Sequence, residues 1–110
     1  MKREEVLEQA RICVCGDRQQ DYGSPEDNFI TIAQLWSVYL RAAKPGTGLC
    51  IAAKDVAAMM ALLKIARIAA GDKLDNFIDL AGYAACGGEI ASQEKEKKQD
   101  DYKENFTRKF

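Results

Sequence analysis

Lys64 and Arg67 stand three residues apart inside Val56–Ala70, a run of fifteen residues of which thirteen are apolar. On a helix that spacing puts both cations on one face. A charge buried there without a partner would cost on the order of 3–5 kcal/mol. Asp75 and Asp79, four residues apart in the next segment, are placed to answer them, with Asp72 one turn earlier. Two arrangements satisfy these groups. In one, they form an ion-pair network across a helix–helix seam and fix its register. In the other they form a site: Asp75 and Asp79 hold Mg2+, which takes oxygen ligands and keeps several waters, while Lys64 and Arg67 bind phosphate oxygens. Asp55 lies roughly on the same side and could add a carboxylate, although an acid at a helix start also serves the helix dipole.

A second cluster occupies the polar corner from Asp17 to Phe29. Turn and capping chemistry accounts for Gly23, Ser24 and Asp27. It does not account for Arg18, Asp21, Tyr22 and Asn28 together. Arg18 is therefore a candidate phosphate contact, and Asp21, Tyr22 and Asn28 are candidate pocket-lining groups. Tyr83 follows Asp79 by one helical turn, so it is expected to line the same pocket and to hydrogen-bond that carboxylate.

The rest of the composition narrows the chemistry. The 110 residues contain no histidine, which removes imidazole bases, Ser-His-Asp and Cys-His nucleophiles, and imidazole-built metal sites. Sixteen Lys/Arg against 17 Asp/Glu give a net charge of −1, so there is no bulk attraction to nucleic acid or anionic membrane. The first residues do not form a charged-then-apolar leader, and Val56–Ala70 is too short to span a bilayer. Cys13 and Cys15 are two apart while Cys50 and Cys86 stand alone, which is neither a disulfide framework nor a zinc pattern. On a helix, Cys13 and Cys15 would also point to different faces. These features imply a cytoplasmic protein with reduced, mostly buried thiols.

The elements that must position the two clusters are helices throughout. Lys2 to about Val14 carries Val6, Leu7, Ala10, Cys13 and Val14 at helical spacing. Ser24-Pro25-Glu26-Asp27 is a helix start, and the second helix runs to about Ala43, burying Phe29, Ile32, Ala33, Trp36, Tyr39 and Leu40. Lys44-Pro45-Gly46-Thr47-Gly48 is a loop. The third helix, from about Ala53 to Ala70, is the most apolar and should need more cover than its neighbours in one chain supply, which implies a homo-oligomer. Gly71 ends it, and Asp72 caps a fourth helix that begins near Lys73 and buries Leu74, Phe77, Ile78, Ala81 and Ile90. Gly82, Gly87 and Gly88 permit close approach or a local break. The expected architecture is all-α: a four-helix bundle-like domain over residues 1–93, followed by a charged C-terminal tail or helix over 94–110. Tyr102, Phe106 and Phe110 recur every four residues in that tail, an aromatic stripe that would dock on another subunit or pack back on its own core.

Four ordered blocks, DRQQDYGSPEDNF, IAQLW with YL, DVAAMMALLKIARI and DNFIDLAGYAA, resemble a family of small phage and prophage proteins classed as a domain of unknown function. The resemblance covers roughly residues 15–92 and implies a phage setting. The looser pattern YG…NF…KxxR…D…GYA is similar to a phage nucleotide-modification-associated domain. Beyond it lie the all-α, MazG-like nucleoside triphosphate pyrophosphohydrolases, which hold Mg2+ on helical carboxylates. Their EExxE motif has a counterpart in Glu4-Glu5-Val6-Leu7-Glu8, whereas their ExxD has none; Asn76-Phe77-Ile78-Asp79 is its nearest echo.

Two functional expectations follow. The first is a nucleotide-handling protein, its reaction a Mg2+-assisted cleavage of a nucleoside triphosphate to monophosphate and pyrophosphate. Metal-bound water would attack, since no histidine is present as base. The second is a non-enzymatic, oligomeric binding or structural protein in which the Lys64/Arg67–Asp75/Asp79 set locks helix register.

Overall fold

A computed structural model describes the backbone of residues 1–16, 25–71 and 73–109 and the side chains of 1–16, 27–71 and 73–98. Four helices pack together: α1 (Arg3–Cys15), α2 (Pro25–Ala43), α3 (Ala53–Ala70) and α4 (Leu74–Lys109). No strand occurs among the described residues. The fold is all-α, as the spacing of apolar residues requires.

Helix α4 is the spine. It runs 36 residues without interruption, about 54 Å at 1.5 Å per residue. That length matches the longest dimension of the molecule, 56 Å. Helix α3 lies antiparallel along it. The order of contacts proves the direction: Lys54 pairs with Glu94, Ala57 meets Gly87, and Lys64 pairs with Asp79. Helix α1 packs on the same spine, with Val14 against Gly82, and α2 packs mainly on α3. The radius of gyration is 17.2 Å, against about 13 Å for a compact chain of this size. The glycines of α4 do not break it. Gly82 and Gly87 are points of close approach, because a Cβ on Gly87 would sit 3.1 Å from the Ala57 Cβ.

The core is small in extent and in side-chain size. Phe29 and Ala33 from α2, Ile51 from the loop, Ala53, Val56 and Ala57 from α3, and Cys86 and Ile90 from α4 form it. Val14, Ile32, Trp36, Leu40, Met60 and Tyr83 pack around its edge, and the Phe29 and Tyr83 rings stack with centroids 6.1 Å apart. The loop between α2 and α3 turns through Gly46 and Gly48, both at positive φ (87° and 63°), where other residues are strained. It is tied back by buried Ser37. That hydroxyl donates to the Ala33 carbonyl at 2.7 Å and accepts the Ile51 N–H at 2.9 Å.

Several burial expectations are corrected. Tyr39 on α2 and Leu74 and Phe77 on α4 are exposed. The thiols are not mostly buried: Cys13, Cys15 and Cys50 are exposed and Cys86 alone is buried. The reason is geometric. Among the described residues helix α1 packs chiefly on α4 and buries only Ala10 fully, so residues turned from α4 are exposed. Asp72 and the Ser24 cap lie outside the described residues, as do the side chains of Tyr102, Phe106 and Phe110.

Two changes test this packing in urea unfolding at fixed protein concentration. Gly87→Val forces α3 and α4 apart and is expected to cost about 1–3 kcal/mol. Gly88→Ala, where a Cβ meets nothing within 4 Å, should stabilise by about 0.5–1 kcal/mol. Equal effects at the two neighbours would contradict the close approach.

Candidate functional site

Helices α3 and α4 bring the proposed charge cluster to one seam, but they unite only two of its members. Lys64 Nζ lies 3.0 Å from Asp79 Oδ2. The lysine side chain is 11% exposed and the aspartate 35%. Lys64 sits on the buried stripe Ala53–Val56–Ala57–Met60–Lys64, whose spacing of three, four, seven and eleven residues is one side of a helix. Its aliphatic stem therefore lies among apolar neighbours while its ammonium meets the Asp79 carboxylate of the facing helix.

Arg67 and Asp75 are elsewhere in character. Both are exposed, and among the described residues neither makes an ion pair. Helix α3 is within one turn of its end at Arg67, and α4 has scarcely begun at Asp75, so both stand at the hairpin end of the helix pair. Asp55 works as a helix cap, accepting the Ala52 N–H at 2.9 Å. Tyr83 is half-buried and stacked on Phe29; among the described residues no hydrogen bond joins it to Asp79. Asn28 is exposed on α2. Arg18, Asp21 and Tyr22 lie outside the described residues.

The carboxylates do not gather as the expected ion requires. Among the described residues no group of three or more Asp, Glu, Cys or His side chains is gathered as metal ligands. Asp79 already spends one oxygen on Lys64, and a cation on that carboxylate would stand beside the ammonium. Asp75 and Asp79 as arranged do not fit Mg2+. Lys64, nine-tenths buried and paired, is likewise not presented to a phosphate.

Elsewhere the charge chemistry is peripheral. On α1 the Arg11 guanidinium grips Glu8 by two bonds, of 2.6 and 3.0 Å, which holds the Glu8 carboxyl below its usual range and raises Arg11. Lys54 and Glu94 form an exposed pair 3.4 Å apart. Surface pairs of this kind contribute about 0–1 kcal/mol.

The sequence reading expected α3 to need outside cover without naming its outward residues, and it missed the outward apolar face of α2. Leu35, Val38 and Tyr39 on α2, and Met59, Leu62, Leu63 and Ile65 on α3, are all exposed. The signal was present in the spacing: residues 59, 62, 63 and 66 repeat the three-four-seven interval of the buried stripe on a different side of α3. Among the described residues no helix is long and apolar enough to cross a membrane.

Comparison with known proteins places this helical unit. A family model described as Domain of unknown function (DUF6378) matches residues 5–91. The chain belongs to that family. The matched stretch begins in α1 and ends within α4. The chain is 43% identical over 84 residues to the Gene 55 protein of Mycobacterium phage D29 and 42% identical over 80 residues to the Gene 55 protein of Mycobacterium phage L5. Those segments cover 76% and 72% of this chain but 51% and 47% of the relatives, so it spans about half their length. No solved structure matches it.

If Lys64–Asp79 is a structural pair, Asp79 and Asp75 must part company in stability. Asp79→Asn should destabilise by about 1–3 kcal/mol, less than a fully buried pair because Asp79 is partly solvated. Asp75→Asn should change stability by under about 0.5 kcal/mol. Thermal and urea unfolding read both, and equal losses would refute the assignment.

Proposed function

We propose that this chain is a non-enzymatic helical binding and assembly module of a phage-type protein. In this reading the Lys64–Asp79 pair holds α3 in register on α4, and the outward apolar faces receive a partner. One observation carries it: the buried cation expected to grip a phosphate is 3.0 Å from the carboxylate expected to hold a metal. Each neutralises the group the other reading needs. The family match and the phage relatives support the phage setting. Three exposed free thiols, on Cys13, Cys15 and Cys50, suit a reducing cytoplasm.

The nucleotide-handling alternative has a direct assay. Thermal shift and pyrophosphate release are measured over the nucleoside triphosphates with and without Mg2+. The assembly reading expects neither a shift nor release. Mg2+-dependent release that Asp75→Asn abolishes without loss of fold would overturn it and install the exposed aspartate as a ligand.

A further inference from the structure

Between α2 and α3 the chain leaves the bundle and returns to it at one point. Residues 44–50 are all exposed, and among the described residues 45–50 make no hydrogen bond to another element. At residue 51 the surroundings change. The Ile51 side chain is buried in the core cluster it shares with Ala33, Ala53 and Val56, and its N–H donates to the Ser37 hydroxyl at 2.9 Å. Ser37 is 2% exposed and gives its own proton to the Ala33 carbonyl at 2.7 Å. With that proton spent, the hydroxyl is left as an acceptor, the role the Ile51 N–H requires.

We propose that residues 44–51 form a strap that opens and closes while the four helices stay folded, and that the Ser37–Ile51 bond is its latch. The inference goes beyond the assembly reading and does not depend on it.

The cost of opening is local. It gives up one buried hydrogen bond and one buried apolar side chain, and the freed Ile51 N–H is taken up by water. The seam between α3 and α4 is held by Lys64–Asp79 and by Gly87 against Ala57, none of them strap residues. A segment with so few buried contacts and so much exposed backbone opens at a lower free energy than the whole molecule. The closed path also makes a demand of its own. Gly46 and Gly48 take φ of 87° and 63°, and a Cβ on either meets nothing within 4 Å. Conformation, and not contact, is therefore what the closed strap asks of them. On opening, Ile51 leaves the cluster and uncovers the junction of α2 and α3, with helix register unchanged.

Native-state hydrogen exchange of the full chain, read residue by residue through a low-urea series, tests this. In the wild type the Ile51 amide is expected to exchange faster than that of Ile90 in α4, at a rate low urea leaves unchanged. Asp79→Asn weakens the seam and not the strap, so it should speed Ile90 and leave Ile51 as it was. Ser37→Ala removes the acceptor and should speed Ile51 about tenfold or more. Gly48→Ala touches no neighbour and penalises the closed path, so it should speed Ile51 about fivefold. Neither substitution adjoins Ile51, so the intrinsic rate of that amide is the same throughout. Ile51 exchange that follows Ile90 through the urea series, or that Asp79→Asn accelerates equally, would overturn the strap. An Ile51 rate unmoved by Ser37→Ala would overturn the latch. Should Ser37→Ala fail to fold, Gly48→Ala decides, and an unmoved Ile51 rate there would overturn the proposal.

Discussion

The seam between α3 and α4 is the constraint on which the rest of the molecule depends. Gly87 lets the two backbones approach until its missing Cβ would be 3.1 Å from that of Ala57. Lys64–Asp79 then sets the register seven residues further along α3. Close approach without the charge pair would leave the helices free to slide along small, interchangeable alanines. The pair without close approach would leave Lys64 solvated and unselective. Together they define one alignment, on which α2 packs mainly against α3 and α1 against α4.

That economy has a consequence at the surface. Four of the ten buried hydrophobic side chains among the described residues are alanines, and Val56 is the largest that is fully buried. At about 25 cal/mol per Å2 of apolar area, small side chains contribute little each. Meanwhile α2 and α3 turn Leu35, Val38, Tyr39, Met59, Leu62 and Ile65 outward. The family relatives extend to about twice the matched length, so in them further chain is present as well.

The fold was legible because helix boundaries are local. Ser24-Pro25 and Gly71 announce their helix ends in three or four residues, and the limits at Pro25, Ala43, Ala53 and Ala70 emerge directly from such signals. Half of the charge cluster was legible too, because a lysine on an apolar stripe must find a carboxylate on the facing helix. What did not emerge was which aspartate, and how far the seam runs. Asp75 and Asp79 have equal claims by spacing. Only the antiparallel pairing of Ala57 with Gly87 brings Asp79, and not Asp75, opposite Lys64. Burial failed where periodicity is ambiguous: Tyr39 and Phe77 fit an apolar stripe by type, yet among the described residues their side of the helix faces no neighbour.

The central claim, that Lys64 and Asp79 act as one structural unit, is tested most directly by a double-mutant cycle. Lys64→Met, Asp79→Leu and the double variant are unfolded in urea at one protein concentration. The account predicts a coupling energy of about 1–2 kcal/mol, with the apolar double variant more stable than either single one. Additive losses, with coupling under about 0.3 kcal/mol, would contradict it.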